Sequence, residues 1–456
     1  MSTMLTGLRH GRLFFMGLCL FWNVSAKADE RGFFLRELYQ MAVQHDPSVK
    51  AARSVEAAAV ERLPQVMAQV FPQVVLSAER HANQLTRSAV PLDYNSANRT
   101  LQVRQPLYRA GFQATVDQAL RTQEEAGAFR EQAERDLLGR LGAVLFEHLL
   151  AIQQKDFVNA LMSATSLQLH AAERAFKAGS GVRTDIDEAK SRLDTAKVQE
   201  LQIRLQIESS RRQLERLTGQ SVPKVVPLSD DDPWVRISAL PELDIWLADA
   251  ELLHPQLRAL RARIESARNE VLKAEAVGKP TLDAVARVTR SQGENTFNPG
   301  GNFSNQQLGV QFNWPIYQGG GHAAAVREAL AKLEEANHRL LATRDDLALR
   351  LENQYRAVQE GRLRIDALRQ AQRSASQALL SSQRSLEAGG RTRLDVMNAQ
   401  QVLAQSHRDL TQGRLSYLSA ELQLALLAGF DSEQAIARIG MWFSKNAPEQ
   451  LLNTSR

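Results

Sequence analysis

Apolar residues recur at helical spacing along two very long stretches of the chain. In the first stretch, leucines stand three or four residues apart, at Leu138, Leu141, Leu145 and Leu149. In the second, apolar residues from Val326 to Leu351 keep a heptad-like register. No proline occurs between Leu107 and Val222, or between Ile316 and Ala447. The pattern predicts helices of about 100 Å, at 1.5 Å per residue, and a single globular core needs no helix of that length.

Two shorter regions alternate apolar and polar residues instead. Leu101 and Val103 alternate with glutamine and arginine, and Leu308, Val310 and Phe312 alternate with small or polar residues. A second β-rich run precedes each region. Two strands of roughly ten residues per half have the length and alternation of outer-membrane barrel strands. Four strands cannot close a pore, so we expect the chain to oligomerise and thereby pair its sheet edges.

The chain is an internal duplication. Residues 45–49 reappear at 253–257, displaced by 208, and 105–108 reappear at 314–317, displaced by 209. The turn at Gly179 reappears at Gly389, displaced by 210. Because these landmarks keep their order and their offset drifts by only two residues, we predict two equivalent halves of helix–strand–strand–helix–helix.

The domain limits follow from this duplication and from the N-terminus. Basic residues, an apolar run from Leu13 to Trp22 and the sequence Ala26-Lys27-Ala28 have the form of a cleaved signal peptide. The run is about ten residues, shorter than a membrane helix of about 20, which argues against the alternative of a retained anchor. We predict a signal peptide at 1–28, a first repeat at 29–220, a linker at 221–241, a second repeat at 242–430 and a C-terminal tail at 431–456.

The net charge and the lack of catalytic or metal-binding motifs narrow the possible functions. The formal net charge of +5 falls to +2 without the predicted signal peptide, so the sequence does not predict binding to nucleic acid. Cys19, the sole cysteine, lies in that peptide, which excludes disulfides and thiolate metal sites from the mature chain. The nine histidines show no metal-binding spacing, and the glycines at 319–321 lack the ending of a phosphate-binding loop. We therefore predict no enzyme activity, no cofactor and no metal.

The duplicated layout, the segments Gln105-Pro106-Leu107-Tyr108 and Trp314-Pro315-Ile316-Tyr317, and the two glycine turns resemble the TolC family of outer-membrane efflux proteins. The resemblance implies a mainly α fold with a membrane β-barrel. Three copies would form a 12-stranded barrel continued by a long α-helical barrel. The resemblance also implies that the protein lies in the outer membrane of a Gram-negative bacterium, contacts outer-membrane lipid and extends into the periplasm.

The resemblance also implies partners: a periplasmic adaptor, an inner-membrane ABC transporter or proton-driven pump, and an exported substrate. The turn from Ala388 to Val396 and the non-lipoprotein signal favour the type I secretion branch, which exports unfolded proteins. Multidrug efflux is the alternative within the family. A soluble periplasmic coiled-coil adaptor is the alternative from another class, but the sequence shows no lipoyl-like β domain.

The resemblance assigns candidate site residues. Asp395 matches an aspartate ring at the periplasmic entrance, Arg391 matches a linking arginine, and Thr184 and Asp185 match a threonine–aspartate pair. Asn398 stands where a second aspartate ring is expected, and Leu386 stands where a linking tyrosine is common. The alternative for Thr184 or Asp185 is capping of a helix N-terminus.

Six further residues have predicted backbone roles. The predicted barrel-to-helix hinges are Pro106, Gly111, Pro315 and Gly320, and the predicted hairpin turns are Gly179 and Gly389. In the second turn, Arg391 would link adjacent hairpins, to Asp185 or Thr184 of a neighbouring coil, and so hold the entrance closed.

Overall fold

A computed structural model describes residues 35–87, 90–222, 240–293, 301–440 and 442–443. The predicted signal peptide, most of the linker and the end of the tail lie outside these residues. In the first half the elements are α1 Leu35–His45, α2 Pro47–Val60, α3 Arg62–Met67, a 3-10 turn Ala68–Val70, β1 Gln73–Arg87, β2 Val90–Arg109, α4 Phe112–Lys177 and α5 Arg183–Thr218. In the second half they are α6 Leu243–Leu253, α7 Pro255–Ala276, β3 Thr281–Gln292, β4 Asn302–Asn313, α8 Gly321–Glu387 and α9 Arg393–Leu427, followed by α10 Ser432–Gly440.

The long helices are confirmed. α4 has 66 residues and α8 has 67, each about 100 Å at 1.5 Å per residue. The four leucines whose spacing predicted α4 are all buried. In α8 the heptad-like register does not coincide with the buried row throughout, because Ala329 is buried while the neighbouring Leu330 is 49% exposed. Alanines at the contact let α8 lie close to its neighbours.

The first helix of each half is broken at a proline. Asp46 caps α2 by accepting hydrogen bonds from the backbone N–H groups of Ser48 (2.8 Å) and Val49 (3.2 Å). His254 caps α7 in the same way, with Nδ1 accepting from the N–H of Gln256 (3.3 Å). A proline occupies the first position of each following helix, where its missing N–H costs nothing.

The end of the last long helix of each half packs against the break in the first helix of the same half. Gly219 follows α5 with a φ of 72°, and a Cβ built there would lie 2.3 Å from the His45 ring. Gly429 follows α9 with a φ of 87°, and a Cβ there would lie 2.8 Å from the backbone of His254. Only glycine satisfies both requirements, so the two halves close by the same contact.

The four strands form one antiparallel sheet in the order β1-β2-β3-β4. Strands β3 and β4 have 12 residues each, but β1 has 15 and β2 has 20, longer than predicted. Side chains alternate between a polar face and an apolar face. The exposed apolar face carries Leu76, Leu101, Val288, Leu308 and Val310. Both β1 and β4 are edge strands within the described chain.

The sheet is fastened near its helical end by two partly exposed arginines that share one buried carboxylate. The Asp283 carboxylate accepts from Nη2 of Arg104 (2.6 Å) and of Arg109 (2.5 Å). The two arginines are five residues apart and would face opposite sides of a regular strand. A register shift between Pro106 and Tyr108 brings both arginines to the same face of the sheet, so both reach the same carboxylate.

The segment after residue 430, predicted as a tail, begins with a packed helix. α10 buries Ala435, Ile436 and Ile439 in the main core. The Tyr39 hydroxyl donates to Ser432 Oγ (3.0 Å), which joins α10 to the first helix of the chain. The sequence pattern did not predict this short helix. None of the helices in the described part of the chain is long and apolar enough to cross a membrane.

Candidate functional site

The two hairpin turns share one backbone conformation. Gly179 has a φ of 73° and Gly389 a φ of 75°, and each follows directly on the C-cap of a long helix. The N–H of Ser180 donates to the carbonyl of Ala175 (3.0 Å), and that of Gly390 donates to Ser385 (2.8 Å). This six-residue bond is a Schellman motif, which ends the helix and reverses the chain.

In the second turn, Thr392 and Asp395 form a capping box at the start of α9. Asp395 Oδ2 accepts from the Thr392 N–H (2.8 Å) and from its hydroxyl (2.7 Å). Thr392 Oγ1 in turn accepts from the Asp395 N–H (3.2 Å). These bonds satisfy backbone donors that the helix leaves unpaired. The Asp395 side chain is thus half-exposed and held by its own helix terminus.

Hydrogen bonding stabilises the charged form of Asp395. Hydrogen bonds from the backbone and then the side chain of Thr392 lower the pKa of Asp395, and the positive charge of Arg391 lowers it further. The carboxylate therefore stays ionised to lower pH than an ordinary aspartate does. A negative charge in the first helical turn is also favoured by the helix dipole.

Arg391 is held within its own hairpin. Its Nη1 donates to Ser382 Oγ (2.7 Å), and that serine, near the end of α8, is only 1% exposed. The bond ties the turn back to the preceding helix. The predicted link from Arg391 to Asp185 or Thr184 concerns a neighbouring coil and stays a prediction. A guanidinium has five N–H donors, so one bond to Ser382 leaves others available.

The first turn is fastened differently: the Ser180 hydroxyl donates to the carbonyl of Ala175 (3.2 Å), and the start of α5 has no capping box. Val182 is the N-cap of α5, in extended conformation and without a side-chain hydrogen bond to the helix. Thr184 and Asp185 are exposed within the first turn of α5. The alternative that either residue is the N-cap is therefore wrong, because the helix begins one residue earlier, at Arg183. Asn398, one turn beyond Asp395 on α9, is also exposed.

The predicted hinge residues differ between the halves. Pro106 lies inside β2, which continues to Arg109, so the chain turns at Gly111 rather than at Pro106. A Cβ at Gly111 would lie 2.9 Å from the Ala276 side chain. Pro315 follows the end of β4, and Gly320 caps α8 with a φ of 83°. Space thus requires glycine at the first hinge, whereas backbone conformation favours it at the second.

Two residues of this site were missed in the sequence, Ser382 and Thr392. Thr392 carries a recognisable signal, because threonine three residues before an acidic side chain at a helix start indicates a capping box. Ser382 carries none, since its role depends on the fold of the turn. No cluster of three or more metal-ligating side chains occurs among the residues that the structure describes.

The fold and the paired turns define a class: a chain in which two long helical hairpins continue a four-stranded sheet. A family model described as outer membrane efflux protein matches residues 38–220 and 246–430. The chain therefore belongs to the outer membrane efflux protein family. It is an outer-membrane channel component rather than an enzyme, and the resemblance to the TolC family is confirmed. The alternative of a soluble adaptor is excluded by this membership.

Similar proteins cover nearly the whole chain. The "Proteases secretion protein PrtF" of Dickeya chrysanthemi is 26% identical, over 91% of this chain and 92% of its own. The "Alkaline protease secretion protein AprF" of Pseudomonas aeruginosa is 28% identical, over 86% and 83%. Among solved structures, the Campylobacter jejuni CmeC outer membrane channel matches with a TM-score of 0.71 and 15% identity, over 90% of each chain. That last likeness concerns the fold alone.

Proposed function

We propose that the protein is one subunit of a homotrimeric outer-membrane duct for type I protein secretion. The observation that carries the proposal is the unfinished sheet. β1 and β4 each leave one row of backbone donors and acceptors without a partner in the described chain. Such a row is too costly to leave in lipid, so another copy has to pair with it. Three chains would contribute twelve strands and close one barrel.

The two faces of the sheet support the same assembly. Leu308 is 87% exposed, and Val310 and Phe312 on β4 and Val288 on β3 are exposed as well. An apolar outer face would contact lipid, and a polar inner face would line a water-filled lumen. The alternation that predicted strands in the sequence therefore also supports a membrane barrel.

The long helices set the orientation. The turns at Gly179 and Gly389 lie at the far ends of α4 and α8, about 100 Å from the sheet by helix length. With the sheet in the outer membrane, we place both turns in the periplasm and the strand-joining loops outside the cell. A periplasmic adaptor and an inner-membrane transporter would meet the duct at the turns.

The cargo class is supported by the relatives. PrtF and AprF both bear names that describe protease secretion. We therefore assign protein export with an ABC transporter and an adaptor. Multidrug efflux with a proton-driven pump is the competing function, because the family as a whole is described by efflux.

At the entrance, we propose that Asp395 and Arg391 act in gating. Three copies of Asp395 converging on a narrow lumen would attract cations. The free N–H groups of Arg391 would reach Asp185 or Thr184 on an adjacent hairpin and hold the entrance closed. The capping box favours the ionised form of the Asp395 carboxylate at the site where this charge would act.

A complementation experiment separates the two cargo classes. The gene is expressed in a Gram-negative host that lacks its own outer-membrane channel, with a type I ABC transporter, its adaptor and a secreted protease. Protease in the medium without any gain in drug resistance supports the proposal. Restored drug resistance without secretion would assign the protein to efflux instead. A variant with proline at Leu308, which blocks strand pairing, serves as the inactive control.

A further inference from the structure

Two arginines face each other on the apolar side of the sheet. Arg99 on β2 is directly opposite Arg290 on β3 in the strand register. Side chains so paired have their Cβ atoms about 5 Å apart and point to the same face. Arg80 on β1 is opposite Ala97 and is therefore the diagonal neighbour of Arg99. All three arginines are exposed.

These arginines lack the partners that arginines on the other face have. Arg104 and Arg109 share the Asp283 carboxylate, and Arg287 donates to Gln102 Oε1 (2.9 Å). For Arg99 and Arg290 no ion pair or hydrogen bond of the side chain occurs within the described ranges. Like charges directly opposite in a sheet are destabilising, so the pair calls for an anion between the two guanidinium groups.

The height of the pair on the sheet indicates where that anion comes from. Arg290 lies eight residues beyond Leu282 on β3, or about 26 Å along the strand at 3.3 Å per residue. With the usual strand tilt this is about 20 Å across the membrane, close to the roughly 25 Å apolar band of a barrel. Leu282, Ala284, Ala286 and Val288 fill that interval on the same face.

The opposite end of the band has a different character. Tyr108 pairs with Leu282, and Trp314 and Tyr317 follow β4, all three exposed. Aromatic side chains of this kind mark the interface of a barrel with lipid headgroups. The band therefore runs from an aromatic edge near the helices to an arginine edge near the strand-joining loops.

We propose that Arg99 and Arg290, supported by Arg80, bind a phosphorylated headgroup of lipid in the outer leaflet. This inference rests on the proposed function, because it takes the strand-joining loops to face outside. Two guanidinium forks match the oxygens of a phosphate, and the anion removes the repulsion between them. Three such sites would surround the trimer at the level where the apolar band ends.

Native mass spectrometry of the purified full-length protein in detergent tests this proposal. Lipopolysaccharide is titrated onto the protein, and its dephosphorylated form is the matched probe. The double variant Arg99→Gln/Arg290→Gln should bind the phosphorylated lipid about ten- to thirtyfold more weakly than the wild type, and added salt should weaken wild-type binding. The control Arg287→Gln changes an arginine on the polar face of the same strand and should leave binding unchanged.

The same spectra give the outcomes that would overturn the proposal. Unchanged binding in the double variant, equal loss in Arg287→Gln, or equal binding of the dephosphorylated lipid would each do so. Displacement of the lipid by millimolar inorganic phosphate would also contradict a lipid-specific site. A trimer that retains no lipid overturns this inference alone, whereas a monomer overturns the proposed assembly.

Discussion

In the first half of the chain the break between α1 and α2 is capped by a carboxylate, whereas in the second half the break between α6 and α7 is capped by a neutral imidazole. The hairpin turns differ in the same manner, with Val182 before α5 and a capping box of Thr392 and Asp395 before α9. The backbone of the two halves is nearly the same at both places. The duplication has thus retained the backbone geometry while the side chains that stabilise it have diverged.

The largest expected difference between the two halves is in how the starts of α2 and α7 respond to low pH. Burial, and then the positive charges of Arg135 and Arg350, lower the pKa of His254 to about 4. Because the pKa of His254 is lower in the folded state than its unfolded value of 6.5, the histidine contributes to stability at pH values above 6.5. That contribution is lost as the pH falls from 6.5 towards 4. The full shift corresponds to roughly 3 kcal/mol. Hydrogen exchange of the first turn of α7 should therefore speed up over this range.

Asp46 provides the internal comparison for that experiment. Burial raises its pKa, but hydrogen bonds from Ser48 and Val49 and the charge of Arg140 outweigh burial and leave it below 3.8. The start of α2 should then stay protected where α7 loosens. His254→Asn keeps a capping acceptor without titration and should abolish the pH response. Equal loss of protection in both helices would contradict the assignment.

The second prediction concerns the link between hairpins. Arg391→Ser removes the cation from the second turn, while the first turn has glycine at the equivalent position, Gly181. A hydrogen bond to a charged partner contributes roughly 1.5–3 kcal/mol, so the closed state should lose about tenfold or more in population. Single-channel conductance in planar bilayers should rise. Arg373→Ser, at an exposed position on α8, is the control, and equal conductance in the two variants would refute the link.

The third prediction exchanges the two caps. Thr392→Ala should destabilise the start of α9 by about 1 kcal/mol, the usual cost of losing an N-cap. Val182→Thr places a threonine three residues before Asp185 and should build the missing capping box, slowing hydrogen exchange at the start of α5. If Val182→Thr leaves α5 unchanged, the difference between the turns does not come from capping.

The smallest expected effect is on ion selectivity. Asp395→Ala should weaken cation selectivity and block by divalent cations, because it removes one negative charge per subunit from the entrance. Asp185→Ala removes the equivalent charge from the other hairpin. Reversal potentials across a salt gradient measure both. A larger change in Asp185→Ala would place the lumenal charge on the first hairpin instead.

The sequence predicted features that depend on local periodicity. The long helices, both glycine turns and the sheet follow from apolar spacing and proline positions, which act within a few residues. Leu330 shows the limit, because heptad spacing alone does not distinguish a seam of leucines from a neighbouring seam of alanines. Which row is buried depends on how closely the neighbouring helices approach.

Contacts between distant segments were not predictable. The bond of Arg391 to Ser382 requires the turn to be folded, and the packing of α10 requires a core assembled from both halves. The register shift beside Pro106 is similar, since it depends on how β2 pairs with β3. That pairing lets Arg104 and Arg109 share Asp283. In each case the partner is supplied by tertiary structure rather than by neighbouring residues.

The central claim, that three copies close one barrel through β1 and β4, is tested most directly by cysteine cross-linking. Cys19 is the only cysteine in the sequence and lies in the predicted signal peptide, so introduced cysteines have little background. Ser77→Cys on β1 is combined in turn with Asn305→Cys and Gln307→Cys on β4, on the same polar face. The account predicts covalent trimers on oxidation in at least one combination, with the single variants remaining monomeric on denaturing gels. Monomers in every combination, together with a monomeric mass in detergent, would contradict it.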